Sequence, residues 1–486
     1  MITDELTFQV EQGLGYVPTG DQRRALETFA EFLFDRNPRT VMLLRGSAGT
    51  GKTSLAGAIV RSLARLRQKL VLMAPTGRAA KVFSLNSGSK AFTIHRRIYR
   101  ERSYHGLYGE FNLNDNLAAD TLFMVDEASM VAGTRNEAGG SFGSGNLLDD
   151  LVRFVYSGRN CRMLLIGDKA QLPPVGEQES PALSVVQMES MGLKVYACDL
   201  NEVVRQGRES GILYNATVIR HMLEASADGA PFRLALPRIR FKAFADIQVV
   251  PGNELIEALN GSYSEVGVDE TMVITRSNKR ANIYNQGIRN TILDCEELLS
   301  TGDMVMVVKN KYIDDAPQPS DGQRLGFIAN GDRARVCRVR NVRELYGFHF
   351  ADVTLRFPDY DQLEMDQTVV LEALTTEAPA LTREQNEQLF QRVMEDYADV
   401  PLKCDRMAKL KQDAYFNALQ IKFAYAITCH KAQGGQWAHI YLDQGYMTED
   451  MLTPDYIHWL YTAMTRATEK LYMVNWPENQ AEDTLE

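Results

Sequence analysis

The chain has 486 residues, 45% hydrophobic and 24% charged, a globular balance that at roughly 150 residues per domain predicts about three domains and excludes a single small binding module. Its 53 Lys and Arg against 63 Asp and Glu give a formal net charge of −10, so a polyanionic partner must be held by a local basic groove and not by the global field. Six scattered cysteines with no C-x-x-C pair argue against a disulfide framework and a zinc ribbon, and with no run near ~18 apolar residues and no basic N-terminal region the expectation is a cytoplasmic chain without a membrane span.

Leu26, Phe29, Ala30 and Leu33 recur at helical spacing over residues 21–34, and Val41 to Leu44 reads as a buried strand. It runs into GSAGTGKT at 46–53, followed by a helix with Leu55, Ile59, Leu63 and Leu66 on one face. Further buried strands read at Leu70–Ala74, Leu122–Val125 and Met163–Ile166, alternating with helical segments as in a doubly wound parallel α/β domain. A second set, Met272–Thr275, Met304–Val308, His439–Leu442 and Leu471–Val474, predicts a second such domain. Two stretches break the alternation: the polar, Tyr-rich residues 96–118, and residues 326–420, where 333–340 and 352–357 read as strands of a small β unit. Five glycines in residues 132–146 predict a flexible surface loop.

The chemistry is concentrated at strand ends. GSAGTGKT fits the G-x-x-x-x-G-K-T phosphate loop, in which backbone N–H groups close around phosphate, Lys52 reaches the β and γ phosphates and Thr53 ligates Mg2+. The phosphates of ATP would sit in Gly46, Ser47, Ala48, Gly49, Thr50, Gly51, Lys52, Thr53 and Ser54, at the positive end of the following helix. The strand ending in Asp126-Glu127 supplies one carboxylate for hydrated Mg2+ and one to orient or deprotonate the attacking water. A third strand ends in GDKAQLPPVG at 167–176, where Gln171 is placed to bond a γ-phosphate and that water. Residues 78–102 carry seven basic side chains (Arg78, Lys81, Lys90, Arg96, Arg97, Arg100, Arg102) against Glu101 alone, a local polyanion footprint. Residues 324–343 repeat the trend with six Arg and one Asp, a pattern that suits a solvated face as well as DNA contact.

GDKAQLPPVG resembles the nucleotide-sensing motif of superfamily 1 helicases, and four further strings follow that family's order: MAPTGRAAKVF at 73–83, NEVVRQ at 201–206, ITCHKAQGGQW at 427–437 and LYTAMTRAT at 460–468. The chain is thereby identified as similar to group B of superfamily 1, the RecD and Dda type of DNA helicase. The resemblance implies two RecA-like doubly wound parallel-sheet domains: 1–95 with 119–205, holding the ATP site, and 206–325 with 421–486. It implies an inserted pin hairpin at 96–118 and an inserted SH3-like β unit at 326–420, with a helical extension at Thr382–Tyr397. It places Gln22 as adenine reader, Gly434 at the nucleotide, and Arg205 and Arg466 as catalytic arginines at the γ-phosphate beside Lys52, Asp126, Glu127 and Gln171. DNA contacts are implied for Pro75, Thr76, Arg78, Lys81, Thr93, His95, Thr428, His430, Lys431 and Gln433.

The activity implied is ATP- and Mg2+-dependent translocation on single-stranded DNA, 5′ to 3′, with unwinding of tailed duplexes by a monomeric motor in replication, recombination or repair. Two rivals stand beside it: a helicase subunit of a RecD-like exonuclease complex with a protein partner, and a DNA-dependent ATPase clamp that does not unwind. RecD chains carry a long region before the first motif, whereas here the phosphate loop begins at Gly46, so the stand-alone Dda-like layout is expected. The glycine-rich 132–146 loop and Trp437 match no family feature.

Overall fold

Strands that are buried on both faces read as continuous apolar runs, and TVMLLRG, KLVLMA, TLFMV and RMLLIG form the heart of one parallel sheet. The computed structural model describes residues 2–104, 109–134, 143–203, 210–227, 236–312, 327–448 and 451–482. The chain forms two compact units, Met1–Val249 with Ala432–Ala438 and Tyr446–Glu486, and Val250–Lys431 with His439–Gly445.

In the first unit six strands run in the order Ala91–Thr93, Lys69–Ala74, Thr121–Val125, Arg162–Gly167, Thr40–Gly46, Lys194–Leu200, all parallel. Three neighbours, 121–125, 162–167 and 40–46, bring Asp126, Asp168 and the phosphate loop to adjacent carboxyl ends, where open α/β sheets bind ligands. The edge strand Lys194–Leu200 has an alternating, partly exposed pattern, so no apolar run announces it. One face is covered by helices Gly20–Phe34 and Lys52–Arg65 and by a helix that the sequence reading did not anticipate, Ile2–Leu14, whose Leu6, Val10 and Leu14 join Leu26, Phe29, Leu55 and Ile59 in one core. Burying each such side chain contributes about 1.5–3 kcal/mol.

The polar 96–118 stretch begins with the short helix Ile94–Ile98 and continues as the antiparallel hairpin Tyr99–Tyr104 and Gly109–Leu113, in register Tyr99↔Leu113. Within the Tyr-rich stretch, His105 and Tyr108 lie outside the described residues. Tyr99 belongs to the domain core: it is buried and its hydroxyl donates to Asp150 Oδ2 at 2.8 Å. Most of the glycine-rich loop, residues 135–142, is likewise outside the description.

In the second unit strand Ala426–Thr428 and the stretch His439–Asp443 flank Thr271–Thr275 in parallel. A closed barrel is formed by Met304–Val307, Arg333–Leu345, Phe348–Phe357, Leu363–Val370 and Leu419–Phe423, followed between its last two strands by helix Arg383–Glu395, capped by Thr382. The expected fold class is therefore met, with one correction. Met304–Val308 belongs to the barrel and not to the parallel sheet, pairing antiparallel with 333–335 and 421–423. MVMV is buried along its whole length in either setting, so its apolar run does not distinguish the two.

Candidate active site

The phosphate loop leaves strand Thr40–Gly46 through Gly49 and Gly51, both left-handed at φ 76° and 79°, a conformation that costs glycine little. Thr50 Oγ1 donates to Ser47 O at 2.8 Å and closes the turn. Lys52 Nζ folds back onto the loop, donating to Gly46 O at 2.6 Å and Ser47 O at 2.8 Å, with Asp168 Oδ2 at 4.0 Å. Helix Lys52–Arg65 starts without a side-chain cap, leaving its first N–H groups for a ligand. Thr53 is half-buried and Ser54 exposed in that first turn. Gln22 is fully buried: its Oε1 accepts from Thr19 N in a capping box and its Nε2 donates to Thr50 O at 3.0 Å.

Asp126 N–H donates to Met73 O, and its Oδ1 accepts the Glu127 N–H at 2.9 Å. Burial first, then the charge of Glu127, holds the Asp126 carboxyl well above the usual range, with Lys52 partly opposing. A divalent cation would relieve that penalty, and since Mg2+ keeps several waters, Asp126 and Thr53 are a fitting protein contribution. Glu127 sits at φ 51°, left-handed backbone of the kind that clusters at functional sites. Arg466 is 3% exposed; its Nε donates to Thr462 O, its Nη1 to Gly435 O, and Nη1 lies 4.0 Å from Glu127 Oε1. Gln171 is buried with its Oε1 unbonded, an acceptor open to a water or hydroxyl. Arg205 lies outside the described residues, although the start of its strand end is anchored by Asp21 Oδ2, which accepts from Asn201 N and Glu202 N.

Residues 19–231 match the family described as AAA domain, and residues 423–474 match the UvrD-like helicase C-terminal domain. The ATP-dependent RecD2 DNA helicase of Deinococcus radiodurans is 28% identical over 70% of this chain and 44% of its own length. The ATP-dependent DNA helicase dda of Enterobacteria phage T4 is 23% identical over 80% of this chain and 84% of that one. These matches and relatives support a RecD/Dda/Pif1-like helicase of superfamily 1B. The chain spans less than half the length of its RecD2 relative. Among solved structures, Pif1 helicase from Bacteroides in complex with ADP-AlF3 and ssDNA aligns with a TM-score of 0.46 at 13% identity, covering 96% of this chain and 94% of that one.

The superfamily 1B residues expected at DNA divide between the units. In the first, Thr76 caps helix Gly77–Ser87, accepting from Ala79 N, half-buried Pro75 precedes it, and half-buried Lys81 lies on its first turns. Arg78 Nη2 donates to Gln436 O, and its guanidinium lies 4.4 Å from the Trp437 ring centre. Thr93 caps the next helix, accepting from Arg96 N. His95 is half-buried and burial lowers its pKa to about 4. Gln433 is buried, with Nε2 donating to Leu172 O at 2.7 Å. Gly434, at φ 73°, stands against Thr76 and Ala79 at the start of helix Gly77–Ser87. In the second unit Thr428 ends its strand, His430 is exposed, and burial lowers Lys431 to about 8.

Three members of the site were not foreseen. Tyr461 Oη accepts from Ala48 N at 2.9 Å and donates to Asp168 Oδ2 at 2.7 Å, tying the phosphate loop to the GDKAQ strand end. Both residues stand inside quoted strings, LYTAMTRAT and GDKAQ, and that was the available signal. Arg220, on helix Gly211–Ala227, donates from Nη1 to Ser47 Oγ at 2.7 Å, and nothing in its local sequence marks it.

Proposed function

We propose that this protein is an ATP-dependent DNA helicase that translocates on single-stranded DNA and unwinds tailed duplexes 5′ to 3′, with RecA-like domains at 1–95/119–205 and 206–325/421–486. The observation that carries this reading is the gathering of Lys52, Asp126, Glu127, Asp168, Gln171 and Arg466 around one phosphate loop, beside the DNA-side helix Gly77–Ser87. Mg2+, held by Thr53 and Asp126, would neutralise phosphate charge. Lys52 would exchange its loop carbonyls for β and γ oxygens, Glu127 would orient the attacking water with Gln171 accepting a hydrogen bond from it, and Arg466 would stabilise charge on the transferred phosphoryl, which is worth roughly 10³–10⁵ in rate in enzymes of this chemistry. The named activities of the RecD2 and dda relatives, ATP-dependent DNA helicases, support the same reading. The hairpin 99–113 is proposed as the pin.

Strand separation on duplexes with 5′ and with 3′ single-stranded tails tests the proposal. Unwinding restricted to 5′-tailed substrate, lost when residues 104–111 are replaced by a Gly/Ser linker while DNA-stimulated ATP hydrolysis persists, is expected. Hydrolysis without unwinding on either tail would favour the clamp.

A further inference from the structure

Trp437 is 1% exposed, and its surroundings connect the DNA-side helix to Arg466. The Arg78 guanidinium lies 4.4 Å from the ring centre, and Arg78 also donates to Gln436 O. The six-membered ring also packs closely on Gly435, where an added Cβ would lie 2.4 Å from the indole. Gly435 O accepts from Arg466 Nη1 at 3.3 Å, and Trp437 N–H donates to Arg466 O at 3.0 Å. Arg466 is thus held at its guanidinium and at its backbone by the two residues flanking Gln436. Gly434 backs against the Thr76 cap, where a Cβ would come within 3.0 Å of Oγ1. A shift of the Thr76–Arg78 turn would move the indole and with it the carbonyl that orients the arginine.

We propose that Trp437 is a positioning residue that couples occupancy of the Thr76–Lys81 helix start by a nucleic-acid strand to the placement of Arg466, with Arg78 acting through the indole face. The inference rests on the proposed function, and it gives Trp437 a role that no family motif assigns. Packing that is continuous between two sites and has two arrangements is the physical form such coupling takes, and tryptophan is the ring with the strongest attraction for a cation.

The test is ATP turnover with saturating oligonucleotide for W437L, W437F and R78M, with KM for ATP and the affinity for a labelled oligonucleotide measured alongside. W437L, which keeps apolar bulk and loses the π face, should lower the DNA-stimulated kcat by roughly 10-fold with little change in KM or oligonucleotide affinity. W437F should recover most of the loss. R78M should reproduce the W437L loss of kcat at saturating oligonucleotide, and the double variant should be no worse in kcat than either single, the signature of one shared pathway. If W437L does not fold, R78M and W437F still decide. W437L as active as wild type, a loss that W437F does not restore, or additive losses in the double variant would overturn the proposal. A wild-type enzyme that oligonucleotide does not stimulate would instead overturn the functional reading beneath it.

Discussion

The phosphate-loop region and the barrel both collect cationic side chains, but they hold them differently. In the barrel four arginines face carboxylates: Arg335–Asp269 at 2.8 Å, Arg340–Asp366 at 3.2 Å, Arg343–Asp352 at 2.8 Å and Arg356–Glu364 at 2.7 Å. The hydrogen bond from Arg343 holds Asp352 down to about 2. Around the phosphate loop, Lys52, Arg220 and Arg466 donate to carbonyls and hydroxyls, and the nearest carboxylates to Lys52 and Arg466 stand off at 4.0 Å. A guanidinium locked to a carboxylate offers little field to a passing anion, whereas one resting on neutral oxygens keeps its charge for a phosphate. Within 324–343, Arg335, Arg340 and Arg343 are paired in this way at the surface, where such pairs contribute about 0–1 kcal/mol each.

The largest effects should come from the neutral-oxygen side of that contrast. Lys52→Ala should abolish ATP turnover, while Glu127→Gln should bind nucleotide normally and lose hydrolysis; a nucleotide-binding titration beside a phosphate-release assay separates them. Arg466→Ala should lower DNA-stimulated kcat by roughly 10³ with KM for ATP little moved, and a loss confined to KM would contradict the charge-stabilising role.

A smaller effect is expected at Tyr461, whose hydroxyl bridges Ala48 N and Asp168. Tyr461→Phe leaves a buried carboxylate one donor short, a cost of about 1–3 kcal/mol, visible in chemical denaturation, and it should reduce kcat as the loop loosens. Unchanged stability would mean that the bridge is incidental. The smallest effects should be electrostatic. Lys81→Ala should make the salt dependence of single-strand affinity shallower by about 0.7 in log–log slope, whereas Arg340→Gln should leave the slope where it was. A shallower slope for Arg340→Gln would restore the barrel as a DNA surface.

A pH measurement sharpens the same region. Burial lowers His95 from 6.5 to about 4, so the folded protein keeps it neutral while the unfolded chain takes up a proton below 6.5. Stability is complete above that value and falls as pH drops through 6.5 toward 4. Denaturation midpoints of wild type and His95→Gln should converge over this window, and parallel curves would show that His95 is solvated.

Features written in contiguous residues were legible before the fold was known. The phosphate loop, Asp126-Glu127 and the Gln171 loop each follow a buried strand whose apolar run is plain in the sequence, and the parallel order of those strands sets them side by side. The Tyr461–Asp168 bond joins residues 293 apart, and no local pattern encodes such a pair. Arg220 was missed because one arginine on a helix looks like any solvated cation until the helix is placed. Met304–Val307 was assigned to the wrong sheet because burial on both faces is common to parallel strands and barrel strands. Lys194–Leu200 went unread because an edge strand has one face without an apolar run.

The central claim, that these cations are held for a phosphate and brought into use by DNA, is tested most directly by steady-state ATP hydrolysis with and without a single-stranded oligonucleotide. The account predicts a low rate alone and a steep rise with the oligonucleotide, with the rise lost in Arg466→Ala. Equal rates in the two conditions would contradict it.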